Sequence, residues 1–137
     1  MKASSAYPSW AVVIVLLVSD WAVRALLRAQ LIEEGFDVVA TDTWEMMLPW
    51  LSPDSTPALA IVDLQGLVNP VSVLEELKTR LGSNRVLALG AAATLGPEQI
   101  HAYGVRVLSR PIDIGSVVAA AARVVAEAAA VSHPPER

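Results

Sequence analysis

Pro57-Ala58-Leu59-Ala60-Ile61-Val62-Asp63-Leu64 is the stretch on which the fold turns. The apolar run Ala58 to Val62 reads as a short strand buried on both faces. It closes on a carboxylate. Burying a carboxylate at a strand end costs free energy unless it faces a crevice and finds partners there. In open parallel α/β sheets, that crevice lies at the carboxyl ends of the strands. Asp63 is therefore the candidate site residue, and the rest of the chain decides what surrounds it.

Working outward, strands and helices alternate. Ala11 to Val18 is apolar and rich in β-branched residues, which predicts a first buried strand. Val23, Leu26, Leu27 and Leu31 recur at helical spacing, and Gly35 is the expected stop. Phe36 to Ala40 predicts a second strand. Asp42, with Glu45 three residues on, predicts a capped helix from Trp44 to Leu51. The Pro- and Ser-bearing stretch Pro49 to Pro57 ends that helix and loops. After the Asp63 strand, Asn69-Pro70 predicts a cap and first turn for a helix whose stripe is Val73, Leu74, Leu77 and Leu81, with Gly82 as the stop. Arg85 to Leu89 is a fourth strand, Pro97 to Tyr103 a short helix stopped by Gly104, and Val105 to Leu108 a fifth strand. Asp113 is expected to cap a last helix with Val117, Val118, Ala121, Val124, Val125 and Ala128 on one face.

A strict βα alternation predicts a doubly wound α/β fold: a five-stranded parallel sheet between two layers of helices. Right-handed crossovers bring the ends of strands one and three together at the switch point, where Ser19, Asp20 and Asp63 would meet. The expected organisation is an N-terminal extension over 1–9, one domain over 10–131 and a tail over 132–137.

The bulk numbers exclude whole classes. At 137 residues and 54% hydrophobic content the chain carries enough apolar side chain for a real core. With no cysteine, disulfides, thiolate metal sites and thiol chemistry are excluded. Net charge is −4, and no Lys/Arg cluster marks a nucleic-acid footprint. The apolar run Trp10 to Val18 is too short to span a bilayer. Ser19-Asp20-Trp21 makes no signal-peptide cleavage site. A soluble, cytoplasmic protein without nucleic-acid or membrane partners is expected.

In this order the segments resemble the receiver domain of two-component response regulators. Pro57 to Leu64 is similar to the family's third strand with its phosphoacceptor aspartate. Val23 to Arg28 and on to Glu34-Gly35-Phe36-Asp37-Val38 is similar to the first helix and second strand. Val86-Leu87-Ala88-Leu89-Gly90-Ala91 is similar to the fourth strand, and Gly104-Val105 to Arg110-Pro111-Ile112-Asp113 to the fifth strand and its turn. The resemblance implies a flavodoxin-like (βα)5 fold, a signalling role rather than an enzyme, and a protein partner such as a histidine kinase or another signalling protein. It also implies a pocket that transfers a phosphoryl group to Asp63. Mg²⁺, held by oxygen ligands, and a fixed cation would neutralise that group.

The pocket residues depart from that pattern. The family's adjacent acidic pair falls on Val18 and Ser19, and Asp20 comes one position late. The hydroxyl residue after strand four is Gly90. The lysine before proline is Arg110, and a planar guanidinium is not a compact ammonium. The switch aromatic of strand five is Val107. Gln65 would supply the carbonyl that completes a Mg²⁺ site with Asp20 and Asp63.

Each residue thus has two readings. Asp63 is a phosphoacceptor or a strand-end acid partnered by Arg110. Asp20 is a metal ligand or a helix cap. Arg110 is a phosphoryl clamp or an ion-pair partner, and Arg110-Pro111 is expected to be cis, as the resemblance implies. The segment from Trp44 to Leu51 is apolar nearly all round, so Trp44, Met47 and Trp50 form a candidate partner surface. The alanine-rich outer face of the last helix suits packing against a second copy in a homodimer. The leading expectation is a pseudo-receiver that works as a phosphorylation-independent interaction module. The alternative is a working phosphoacceptor.

Overall fold

Each buried strand extends one parallel sheet. A computed structural model describes residues 12–52, 57–90 and 95–132. The elements run β1 Val13–Leu17, α1 Trp21–Glu33, β2 Asp37–Thr41, α2 Trp44–Met47, β3 Leu59–Asp63, α3 Pro70–Leu81, β4 Val86–Leu89, α4 Pro97–His101, β5 Arg106–Leu108 and α5 Ile114–Ser132. The sheet order is β2-β1-β3-β4-β5 and every pairing is parallel. This is the predicted doubly wound arrangement, with the order reversing between β1 and β3.

The two-residue period of a strand sorts side chains between the two helical layers. Ile14, Leu16, Leu59, Ile61, Leu87 and Leu89 pack with α1 and α5 residues such as Leu27, Leu31, Val117 and Val124. Val15, Leu17, Ala60, Val62, Val86 and Ala88 pack on the other side with Met47, Leu74, Leu77 and Ile100. β3 is buried along its whole length, as a central strand covered on both faces must be.

Local chemistry sets most boundaries as expected. The Asn69 side chain caps α3 by accepting from Ser72 N–H, Pro70 takes the first turn, and the stripe Val73, Leu74, Leu77, Leu81 is buried. Asp113 Oδ2 accepts from Ser116 N–H (3.3 Å) and Ser116 Oγ (2.6 Å) at the start of α5.

Elsewhere the structure corrects the reading. Thr43, not Asp42, caps α2, accepting from Met46 N–H. The helix stops after Met47, and Leu48–Leu51 continues as a 3-10 turn containing Pro49, whose ring and missing N–H disfavour a longer α-helix. Leu26 does not join the α1 stripe. It is 52% exposed, because the side of α1 that packs on the core carries Val23, Leu27 and Leu31. α4 ends at His101, short of Tyr103, and Ser132 is still helical rather than the first residue of a tail. The expected extension over 1–9, most of the tail and the Pro53–Thr56 part of the loop lie outside the described residues. Among the described residues, no helix is long and apolar enough to cross a membrane.

Candidate functional site

The carboxyl ends of the strands are held level by hydrogen bonds running past the strands themselves. Val18 N–H donates to the Thr41 carbonyl (3.1 Å), Leu64 N–H to Leu89 (3.2 Å) and Gly90 N–H to Leu108 (2.6 Å). Leu59 and Ile61 face the α1/α5 layer, and the same period turns Asp63 to that side. There it meets the N-terminal end of α1 and the turn leading into α5. The result is an open cavity of about 280 Å³ lined by Ser19, Asp20, Val23, Asp63, Gln65, Gly66 and Arg110. Ser19, Asp20, Asp63, Gln65 and Arg110 are therefore brought together as expected. Gly90 lies beside them, under the Arg110 side chain.

Asp63 is 3% exposed and its Oδ1 atom is fully engaged. It accepts from Gln65 N–H (3.0 Å) and from Arg110 Nη2 (2.5 Å). The partners differ in exposure: the Arg110 side chain keeps 35% of its surface and that of Asp63 only 4%. A charge-assisted contact of this kind stabilises a buried carboxylate that would otherwise be costly. Arg110 and Asp63 form an ion pair in this arrangement. The Arg110-Pro111 peptide is cis, as the sequence resemblance implies.

On the other wall, the Asp20 carboxylate is turned into the start of α1. Its Oδ1 accepts from Ala22 N–H (2.9 Å) and Val23 N–H (3.2 Å), a helix cap in the ordinary sense. Ser19 Oγ donates to the Gln65 carbonyl at 3.3 Å. Arg24 Nη1 donates to the carbonyls of Val18 (2.8 Å) and Ser19 (3.3 Å), fixing the loop between β1 and α1. Sequence reasoning made no use of Arg24. Its position one turn into α1 was the available signal, because a side chain there can reach back over the preceding loop.

This donor set does not fit a hard divalent cation. Mg²⁺ needs several free oxygens in near-octahedral array. Asp63 Oδ1 already holds two donors, the Gln65 carbonyl holds Ser19 and Asp20 Oδ1 holds the helix start, so the oxygens left over, chiefly Asp63 Oδ2, are too few for such an array. Among the described residues, no cluster of three or more His, Cys, Asp or Glu side chains forms.

The candidate partner surface is rearranged as well. Met47 is fully buried in the core and leaves that surface, because the α2 face that carries it packs on the sheet. Trp44 is partly buried, whereas Trp50 is 43% exposed and Met46 also lies outward. On α1 three large apolar side chains are exposed that the sequence reading did not expect at the surface: Trp21 (73%), Leu26 (52%) and Ile32 (36%). The helical stripe through Leu27 and Leu31 is narrow, so apolar residues on either flank of it are left to solvent.

Comparison with solved structures matches the fold. The receiver domain of nitrogen regulatory protein C in its apo form aligns at a TM-score of 0.71 with 22% identity, over 86% of this chain and 97% of that one. The receiver domain of the hybrid histidine kinase CckA aligns at 0.63 with 24% identity, over 82% and 98%. A CheY-like receiver domain protein from Methanospirillum hungatei aligns at 0.70 with 16% identity, over 85% and 94%. The chain folds as a receiver domain. At these identities the likeness is one of fold, and it spans nearly the whole of each compared domain. No family model and no curated protein matches the sequence. Within the receiver fold, Asp63 stands at the end of the central strand, and the side chains around it are this chain's own.

Proposed function

We propose that this receiver-fold domain acts in two-component signal transduction as a phosphorylation-independent protein-interaction module, in the cytoplasm and without enzymatic activity of its own. One observation carries the reading: the Asp63 carboxylate is already neutralised by Arg110 at 2.5 Å. The chemistry of phosphoryl transfer onto a carboxylate relies on positioning and on charge clamps around the incoming group. Here the cationic side chain sits on the acceptor, Gly90 offers no hydroxyl, and the acidic residue next along, Asp20, caps a helix. The departures at Val18, Ser19, Gly90 and Val107 support the same conclusion from the sequence side.

An interaction module needs a surface, and exposed apolar side chains supply it. Trp50 and Met46 lie near α2, and Trp21 and Leu26 on α1. Large aromatic and Met side chains are what protein interfaces favour. A signalling protein, a histidine kinase or a second copy of this chain are the partners such a surface would serve.

The second reading, a phosphoacceptor on Asp63, is favoured by one specific feature. Asp63 Oδ2 accepts no hydrogen bond among the described residues, and the carboxylate lines the open cavity. The test is direct. The protein is incubated with a small phosphodonor and Mg²⁺ and then weighed. The expected result is an unchanged mass. A stable phosphate adduct that disappears in Asp63→Ala replaces the interaction-module reading with the acceptor one. Sedimentation of the wild type against Trp50→Ala and Trp21→Ala reports whether self-association uses either surface.

A further inference from the structure

Four glycines of positive φ form two contrasting pairs. Gly35 (φ +102°) and Gly82 (φ +85°) end helices, and a Cβ built at either would meet nothing within 4 Å. Their backbone conformation alone accounts for glycine. Gly90 and Gly66 also have positive φ, +68° and +90°, but each lies directly under a pocket side chain. A Cβ on Gly90 would lie 2.7 Å from Arg110 Nε, 3.0 Å from Cγ and 3.2 Å from Cδ. A Cβ on Gly66 would collide with Ser19 Oγ and lie 3.1 Å from Ser19 Cβ. The stem of Arg110 therefore crosses the bare Cα of residue 90 on its way to Asp63. Ser19 likewise lies against the bare Cα of residue 66 while donating to Gln65.

We propose that Gly90 and Gly66 are positioning residues. Their missing side chains let Arg110 lie on Asp63 and Ser19 lie on the Gln65 carbonyl, so that the chain's own donors occupy two of the oxygens a divalent cation would take. The two arms act on the oxygens a hard cation would need. A guanidinium held on Asp63 also repels a second positive charge brought to the same oxygen. Any side chain at residue 90 pushes Arg110 off its path, since the atoms it meets belong to a flexible side chain that can swing away. A hydroxyl residue at 90 and an arginine laid across it onto Asp63 thus exclude each other. The absent hydroxyl and the arginine at 110 are one matched change. The inference rests on the interaction-module reading only in taking the Arg110–Asp63 pair as the working state.

A double-mutant cycle on the full chain tests it, with Gly90→Ala and Arg110→Ala measured by urea unfolding. Gly82→Ala serves as the control for a Cβ at positive φ in open space. In the wild-type background, Gly90→Ala is expected to lower the folding equilibrium constant roughly tenfold more than it does in the Arg110→Ala background. Gly82→Ala should cost the same in both. Additivity at residue 90, within about twofold, overturns the proposal. If Arg110→Ala fails to fold, Mn²⁺ titration read by electron paramagnetic resonance decides instead. Binding gained by Gly90→Ala, and by neither the wild type nor Gly82→Ala, supports the proposal, and equal behaviour of all three overturns it. A phosphate adduct on the wild type would remove the interaction-module reading without touching the cycle. An additive cycle would remove the glycine role without touching the mass measurement.

Discussion

Asp63 and Asp20 stand at the carboxyl ends of neighbouring strands, one the last residue of β3 and the other just past β1, and both line the same cavity. Their carboxylates are satisfied in opposite ways. Asp63 is buried and depends on a distant residue, Arg110, 47 positions along the chain. Asp20 is exposed and depends on the backbone of its own helix, two and three positions along. A buried charge with a long-range partner is a tertiary commitment, and losing the partner strands the charge. An exposed cap is a local one, and water can replace most of what it supplies. The pocket therefore has a rigid, charge-dependent wall and a softer wall built from helix-end hydrogen bonds.

Substitutions at three positions sharpen that difference. Arg110→Ala should have the largest effect, destabilising the domain by about 2 kcal/mol because the Asp63 carboxylate loses its charged donor. Part of the full penalty is relieved because water reaches the carboxylate through the open cavity. Urea unfolding measures it, and a loss below that of the Asp20 variant would reverse the ranking of the walls. Asp20→Ala should cost about 1 kcal/mol, the usual value of an N-cap. Asp20→Ser should recover most of that loss, since a hydroxyl also accepts from the α1 N–H groups. Failure of serine to rescue would mean that the negative charge, rather than the cap, is what matters at this position. Ser19→Ala should be smallest, at about 0.5 kcal/mol, because its hydroxyl makes one long, exposed hydrogen bond to Gln65. Ionic strength separates two charge pairs in the same way. Salt should weaken the exposed Arg80–Glu76 pair on α3 more than the Arg110–Asp63 pair, since screening acts mainly on solvated charges. Double-mutant cycles repeated at low and high salt check this.

The fold was legible because its signals are local and repeated. Buried strands such as Ala58 to Val62 are continuous apolar runs. The α3 stripe has the helical period, and Asn69-Pro70, Gly82 and Gly104 punctuate the chain where the structure turns. The misreadings fall where two local signals compete or where solvent exposure decides. Asp42 and Thr43 are both good caps, and only the path of the chain leaving β2 selects Thr43. Leu26 matches the helical period as well as Leu27 does. It faces water because the sheet contacts a narrower strip of α1 than the sequence pattern allows. Trp44 to Leu51 is apolar all round, so its pattern could not say that Met47 is the side chain turned inward.

The sequence by itself determined the alternation of elements, the parallel sheet, the placing of Asp63 at the switch point and the list of residues gathered there. Periodicity and the handedness of crossovers are enough for the alternation, the sheet and the meeting of Ser19, Asp20 and Asp63, whereas Gln65, Gly90 and Arg110 joined that list only through the resemblance to receiver domains. What only the tertiary structure decided is how those residues divide their hydrogen bonds. Arg110 lies across Gly90 to reach Asp63, Asp20 turns away into α1, and Ser19 covers the Gln65 carbonyl. Those choices depend on which side chain can pass over which bare Cα, a matter of a few tenths of an ångström between residues far apart in sequence.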